Sequence, residues 1–254
     1  MSLQASLQSA YADFQKAAPA PVIDTFNSGV QALQDSFDAS KAIQPGQKLP
    51  EFTLQDATGN AVTSASLLAK GPLLLSFYRG EWCPFCNLEL RALQSRLPEF
   101  TAAGVTLAAV SPHLPDTSLS VAEKHALEFP VLSDVGNQLA RQLGIVWKQP
   151  EAFGPILAGF GVDWEKKYGN QSLEVPIPAT VLVGADGVVR NVFLDPDYTK
   201  RLEPEAALEI AEPSSLSPSF SPRYAATIRL VLAPHARSIL TPQNPGQPPH
   251  QTTT

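Results

Sequence analysis

Residues 72–78 read PLLLSFY, a run with no charge and apolar side chains at neighbouring positions. A strand that is apolar on both faces has to be covered on both faces. This segment therefore predicts a central strand with helices above and below it, which excludes an edge strand or a sheet open to water on one side. The rest of the chain agrees. FTL and AV flank Asp56-Ala57-Thr58-Gly59-Asn60, a hairpin signal, and a short helix is expected at 64–69. After the central strand come a helix near 84–101, a strand at 105–110 (VTLAAV), a helix near 118–127 and a short strand ending at 133. A helix at 136–143 and the run GIVW follow, then a long irregular stretch at 148–176. ATVLV (179–183) and VVRNVFL (188–194) form a second hairpin about Ala185-Asp186-Gly187, and a last helix is read at 203–210. Strand–helix–strand crossovers make parallel neighbours and hairpins make antiparallel ones. The expected class is α/β, with a central mixed sheet flanked by helices.

Three regions are distinguished. Residues 1–44 form an N-terminal helical extension, with Leu3, Leu7, Tyr11 and Phe14, then Val22, Phe26, Val30 and Leu33 at helical spacing, separated by Ala-Pro-Ala-Pro. These helices are expected to pack on the main unit, with a homodimer contact as the alternative. Residues 45–212 form the main domain. Residues 213–254 are rich in Pro, Ser, Gln and Thr and are expected to be a disordered tail without chemistry.

Charged residues make up 17% of the chain and the net charge is −6, which gives no footing for a nucleic-acid partner. No stretch reaches the apolar length of a membrane span. The first residues lack the charged and apolar regions of a secretory signal, so a cytoplasmic location is expected. The two cysteines, Cys83 and Cys86, are too few for a disulfide scaffold.

Both sulfurs lie in FYRGEWCPFCNLELRAL (77–93), where the central strand passes into a helix. Pro84 suits the first helical turn, since no donor is lost there. Cys83 is thereby placed at a helix N-terminus, where free backbone donors and the helix dipole stabilise a thiolate. Arg79 is near enough in sequence to add positive charge, and Cys86 follows one turn later, within reach of a disulfide. One thiolate attacks an oxidised sulfur or a disulfide, and its neighbour resolves the product. Trp82 is expected to wall one side of the site. Glu89 is read as an exposed helix acid, with a proton acceptor as the alternative. Zinc would need four ligands, and His113, His125, His235 and His250 are scattered, so no metal or other cofactor is expected. Pro178 precedes a buried strand; a trans proline that simply opens the strand is one reading, and a cis Ile177–Pro178 bond that presents backbone to the cysteine turn is the other, which leans on the family resemblance below.

These residues resemble the thioredoxin-like superfamily, and within it the peroxiredoxin-like branch of the alkyl hydroperoxide reductase/thiol-specific antioxidant family. The resemblance rests on Pro50-x-Phe52-x-Leu54-x-Asp56 with Gly59, FYRGEWCPFC, FPVLSD with Asp134, the IPAT of Ile177 to Thr180, and FLDPDY at 193–198. It covers residues 45–212 and implies a thioredoxin-like fold. Two registers compete. In the thioredoxin register Cys83 attacks, Cys86 resolves and Pro178 is the cis-proline, with Thr180 beside it. In the peroxiredoxin register Cys86 is the peroxide-reactive sulfur, Cys83 replaces the family's threonine and Glu89 is its conserved acid. Pro178 then stands where the peroxide-polarising arginine is expected, and Arg79-Gly80 stands where a proline belongs. The first register is preferred, with Cys83 as nucleophile. The resemblance implies a thiol-dependent oxidoreductase that reduces peroxides or protein disulfides, with thioredoxin or glutathione as reductant. The competing functions are a redox-responsive binding module, in which the 148–176 stretch with Phe160, Trp164 and Tyr168 lies near the sulfurs, and a catalytically degenerate member.

Overall fold

A computed structural model describes residues 2–211, so the expected C-terminal tail lies outside the described residues. Two helices open the chain, α1 (Leu3–Ala17) and α2 (Ala20–Ser36). The hairpin β1 (Thr53–Asp56) and β2 (Ala61–Thr63) leads through α3 (Ser64–Leu68) into β3 (Leu73–Phe77). Every residue of β3 is buried, Ser76 among them, as a largely apolar run without charge requires. Next come α4 (Pro84–Ser95), α5 (Leu97–Ala102), β4 (Thr106–Ser111), α6 (Pro115–Lys124), β5 (Val131–Ser133) and α7 (Gln138–Gln142). They are followed by β6 (Val146–Lys148), α8 (Phe153–Gly159), α9 (Trp164–Tyr168), β7 (Glu174–Pro176), β8 (Ala179–Val183), β9 (Val189–Leu194) and α10 (Pro204–Ala211).

Seven strands make one sheet in the order β2-β1-β5-β4-β3-β8-β9. The crossover strands β3, β4 and β5 run parallel, and β8 returns antiparallel beside β3. In the register of that pair Phe77 faces Ala179, which sets Pro178 at the strand end where the cysteine turn begins. The mixed sheet flanked by helices is the expected architecture.

Three local expectations need correction. The helix read at 84–101 is two helices: Arg96 leaves helical geometry and Pro98 falls in the first turn of α5, where its missing N–H costs nothing. The stretch at 148–176 is not irregular throughout but holds α8 and α9, each too short for periodicity to reveal. No cis peptide bond occurs among the described residues, so Ile177–Pro178 is trans. Proline at the entrance of β8 needs no other isomer, because β8 takes up its pairing only from Ala179 onward.

The first two helices join the core. Leu3 and Leu7 are buried, and α1 lies on α4, the helix that carries Cys86. Phe26 of α2 meets Phe153 of α8 edge-on at 4.6 Å. The Glu203 carboxylate accepts hydrogen bonds from the Leu3 and Gln4 amides, satisfying free donors at the start of α1. Asp134 does the same for α7, accepting from the Leu139 and Ala140 amides at 2.9 Å each. No helix among the described residues is long and apolar enough to cross a membrane.

Candidate active site

The chain leaves β3 at Phe77, and the Tyr78 amide still bonds to Val110 of β4. A tight turn then brings the Cys83 amide onto the Gly80 carbonyl, and α4 begins. Gly80 admits no side chain. A Cβ there would lie 2.2 Å from the Tyr168 hydroxyl, 2.7 Å from Trp82 Nε1 and 2.8 Å from His113 Nε2. Pro84 is the first residue of α4, as its fixed φ favours, and Cys83 is the N-cap.

Both sulfurs are free thiols with no exposed surface. Cys83 Sγ accepts from the Cys86 amide at 3.3 Å, from the Cys86 thiol at 2.7 Å and from Arg79 Nη2 at 3.1 Å. Burial opposes ionisation of Cys83. The Cys86 hydrogen bond and the charges of Arg79 and Arg201 outweigh it and bring the thiol down to about 5. Cys86 moves the other way. Burial, the hydrogen it donates to Cys83 and the negative charge beside it push its thiol well up. The resting pair is therefore a Cys83 thiolate hydrogen-bonded by a Cys86 thiol.

Arg79 is buried, with its guanidinium 3.8 Å from the Tyr198 ring and 4.9 Å from the Trp82 ring. Its carbonyl accepts from the Tyr168 hydroxyl, which in turn accepts from Trp82 Nε1 at 2.6 Å. Trp82 lies beside the Arg79 guanidinium, and Trp164 and Tyr168 of the 148–176 stretch pack against it. Phe160 is 58% exposed and takes no part. His113 is buried against Tyr168, and burial together with Lys167 lowers it to about 3, so the imidazole is neutral. Tyr198 also lines a cavity of about 260 Å³ with Tyr11, Asn27, Gln31 and Asp197.

Glu89 is not an exposed acid. It is 2% exposed and receives Arg201 Nε at 2.6 Å. A buried carboxylate without a partner would be prohibitive, and its partner lies 112 positions along the chain. Arg201 Nη2 approaches Cys86 Sγ at 3.6 Å, and Arg201 Nη1 is fixed by the Tyr198 and Lys200 carbonyls. Sequence reasoning missed this arginine. The only nearby signal was FLDPDY, which ends three residues before it.

Among the described residues the sulfurs' hydrogen-bond partners are Arg79, Arg201, the Cys86 amide and each other. Pro178 and Thr180 stand outside this set. Thr180 is a buried β8 residue opposite Ser76, and Pro178 precedes that strand. No group of three or more His, Cys, Asp or Glu side chains among the described residues could share a metal ion.

Residues 45–192 match the family model described as AhpC/TSA, more than half of the chain. The chain belongs to the AhpC/TSA family. Peroxiredoxin Bcp of Escherichia coli K12 is 27% identical to this AhpC/TSA protein over 153 residues, which span 60% of this chain and 86% of the relative. Among solved structures, peroxidoxin BcpB of Mycobacterium tuberculosis superposes with a TM-score of 0.52 at 21% identity, covering 66% of this chain and 96% of that one. AhpC of Enterococcus faecalis gives 0.53 at 20% identity, covering 68% and 92%. These likenesses establish the thioredoxin-like fold, and the family makes the AhpC/TSA protein a thiol-dependent peroxidase.

Proposed function

We propose that Cys83 is the sulfur that attacks hydroperoxide, that Cys86 resolves it, and that a thiol reductant of the thioredoxin or glutathione type reopens the resulting disulfide. The observation that carries this reading is the direction of the hydrogen bond between the sulfurs: Cys86 donates and Cys83 accepts, while Arg79 also donates to Cys83. The thiolate is the nucleophile, and Cys83 holds that form at neutral pH. Its attack on the near peroxide oxygen breaks the O–O bond, gives a sulfenic acid on Cys83 and releases an alcohol or water. The Cys86 sulfur then displaces that oxygen as water and the disulfide closes. Two sulfurs without exposed surface favour a small hydroperoxide over a protein disulfide as substrate.

The test is single-turnover oxidation of reduced Cys83→Ser and Cys86→Ser by hydrogen peroxide and cumene hydroperoxide, with sulfenic acid trapped and located by mass spectrometry. Cys86→Ser is expected to consume one equivalent rapidly and carry the adduct on Cys83. Cys83→Ser is expected to react no faster than free cysteine. The reverse pattern would assign the attack to Cys86.

A further inference from the structure

The cavity of about 260 Å³ lies against the cysteine site with one side chain between them. The contacts run in series. Arg79 Nη2 donates to Cys83 Sγ at 3.1 Å, the Tyr198 ring lies 3.8 Å from the Arg79 guanidinium, and Tyr198 lines the cavity. Tyr198 is buried and neither sulfur has exposed surface, so a molecule in the cavity reaches Cys83 only when that ring turns aside. The ring is held by Arg79 and by Phe85, whose ring centroid is 5.6 Å away, and neither contact is a hydrogen bond.

The walls come from the two segments that flank the matched family residues 45–192. Tyr11, Asn27, Gln31 and Gln34 belong to α1 and α2, and Asp197 and Tyr198 to the loop after β9; the other described lining residues fall in the same two segments. The shared fold supplies the sulfurs, and the flanking segments of this chain supply the cavity. Its lining is polar and nearly uncharged. The Tyr11 hydroxyl donates to Asn27 Oδ1 at 2.9 Å, which leaves the Asn27 N–H groups as donors. Gln31 Nε2 is spent on Asp35, which leaves the Gln31 oxygen as an acceptor. Asp197 is the charged group of the lining among the described residues. Lys200 does not neutralise it, because that one cation stands 3.7 Å from Asp197 and 3.5 Å from Asp195. The field at the cavity therefore disfavours anions. Its volume is several times the ~30 Å³ of a water molecule and falls just below the ~300 Å³ at which pockets for drug-sized ligands begin.

We propose that this cavity binds the organic part of an uncharged hydroperoxide, with Tyr198 as the gate between it and Cys83. The proposal rests on hydroperoxide being the substrate and Cys83 the sulfur it meets. The bond chemistry is unchanged: the Cys83 thiolate takes the near oxygen, the O–O bond breaks, and the organic part leaves the cavity as its alcohol. An organic hydroperoxide gains binding energy from these walls while its peroxide group is at the sulfur. Hydrogen peroxide is too small to touch both, so the flanking segments set a preference that the sulfurs alone do not.

The experiment follows single-turnover oxidation of the reduced full chain over a range of concentrations of three oxidants: cumene hydroperoxide, its para-carboxylate derivative and hydrogen peroxide. In wild type, cumene hydroperoxide is expected to half-saturate at a concentration about tenfold lower than the carboxylate. Asn27 and Gln31 are exposed positions of α2. In Asn27→Trp, and separately in Gln31→Trp, the ratio of the cumene hydroperoxide rate to the hydrogen peroxide rate should fall about tenfold, with the loss residing in half-saturation. Asp197→Asn keeps the oxygen that accepts from Thr199 and should narrow the gap between cumene hydroperoxide and its carboxylate about threefold. Unchanged ratios in both tryptophan variants, equal slowing with all three oxidants, or a wild-type preference for the carboxylate overturns the proposal. A second arm needs no turnover. Cumyl alcohol, the product, is titrated into ¹⁵N-labelled Cys83→Ser, and the Asn27, Gln31 and Gln34 side-chain amide signals are expected to shift saturably. Absence of shifts, with sulfenic acid still forming on Cys83 of the wild type, marks the cavity as the part that failed. Saturable shifts, with sulfenic acid found on Cys86 instead, support the cavity and mark the assignment of the attacking sulfur as the part that failed.

Discussion

Replacing Arg79 with methionine removes one charge and keeps the straight apolar stem beneath Tyr198. The guanidinium nitrogen lies 3.1 Å from Cys83 Sγ, and the residue is 2% exposed. With the charge centre at about 4 Å and an effective dielectric constant of about 20, the attraction is about 4 kcal/mol. At 1.36 kcal/mol per pKa unit that corresponds to about three units. Cys83 starts from about 5, so in Arg79→Met it should titrate near about 8. At pH 7 its thiolate then falls from nearly complete to about a tenth, and alkylation by iodoacetamide slows about tenfold. The measurement is alkylation rate against pH, resolved for each cysteine by peptide mass spectrometry, with circular dichroism to verify folding. In wild type the Cys83 rate should level off above about pH 6, and in the variant only above about pH 9. A Cys83 that titrates within about half a unit of wild type would refute the reasoning, because the helix terminus and the Cys86 hydrogen bond would then suffice alone.

Two further substitutions test the surroundings. Tyr198 lies over the Arg79 guanidinium and lines the neighbouring cavity; Tyr198→Ala should speed reaction of Cys83 with a bulky disulfide reagent by roughly tenfold, the result of making local opening about 1.4 kcal/mol easier, and an unchanged rate would place the entry route elsewhere. In Gly29→Ala the new Cβ would meet Phe153 Cζ at 2.5 Å and Cε1 at 2.8 Å. Overpacking of about 1–3 kcal/mol should exceed the helix-propensity gain of roughly 1 kcal/mol, giving a net loss of about 1 kcal/mol by urea denaturation; a variant as stable as wild type would mean that α2 shifts off α8 without cost.

What the sequence made legible was local. The central strand, the cysteine turn and the N-cap position of Cys83 each follow from residues within one turn or one strand of each other. Arg79 was readable for the same reason, four positions from the sulfur it serves. Arg201 was not, because its contact with Cys86 spans 115 positions and depends on the β8–β9 hairpin returning the chain past α4. Glu89 was misread as a consequence: an acid on a helix reads as solvent-facing until its partner is known. The break between α4 and α5 was lost because the apolar spacing continues across it, and Pro98 was the signal that located it. Pro178 was over-read, since a proline at a strand entrance is compatible with the ordinary trans bond.

The clasp between Glu203 and the first amides of α1 has a practical corollary. It lies two positions from Arg201, whose guanidinium is anchored by carbonyls of the same loop. Whatever pries the leading helix away, such as a purification tag fused in front or a protease cut within it, also slackens the grip on the second sulfur. Preparations that differ only in how their first residues were made should therefore differ in how fast they cycle.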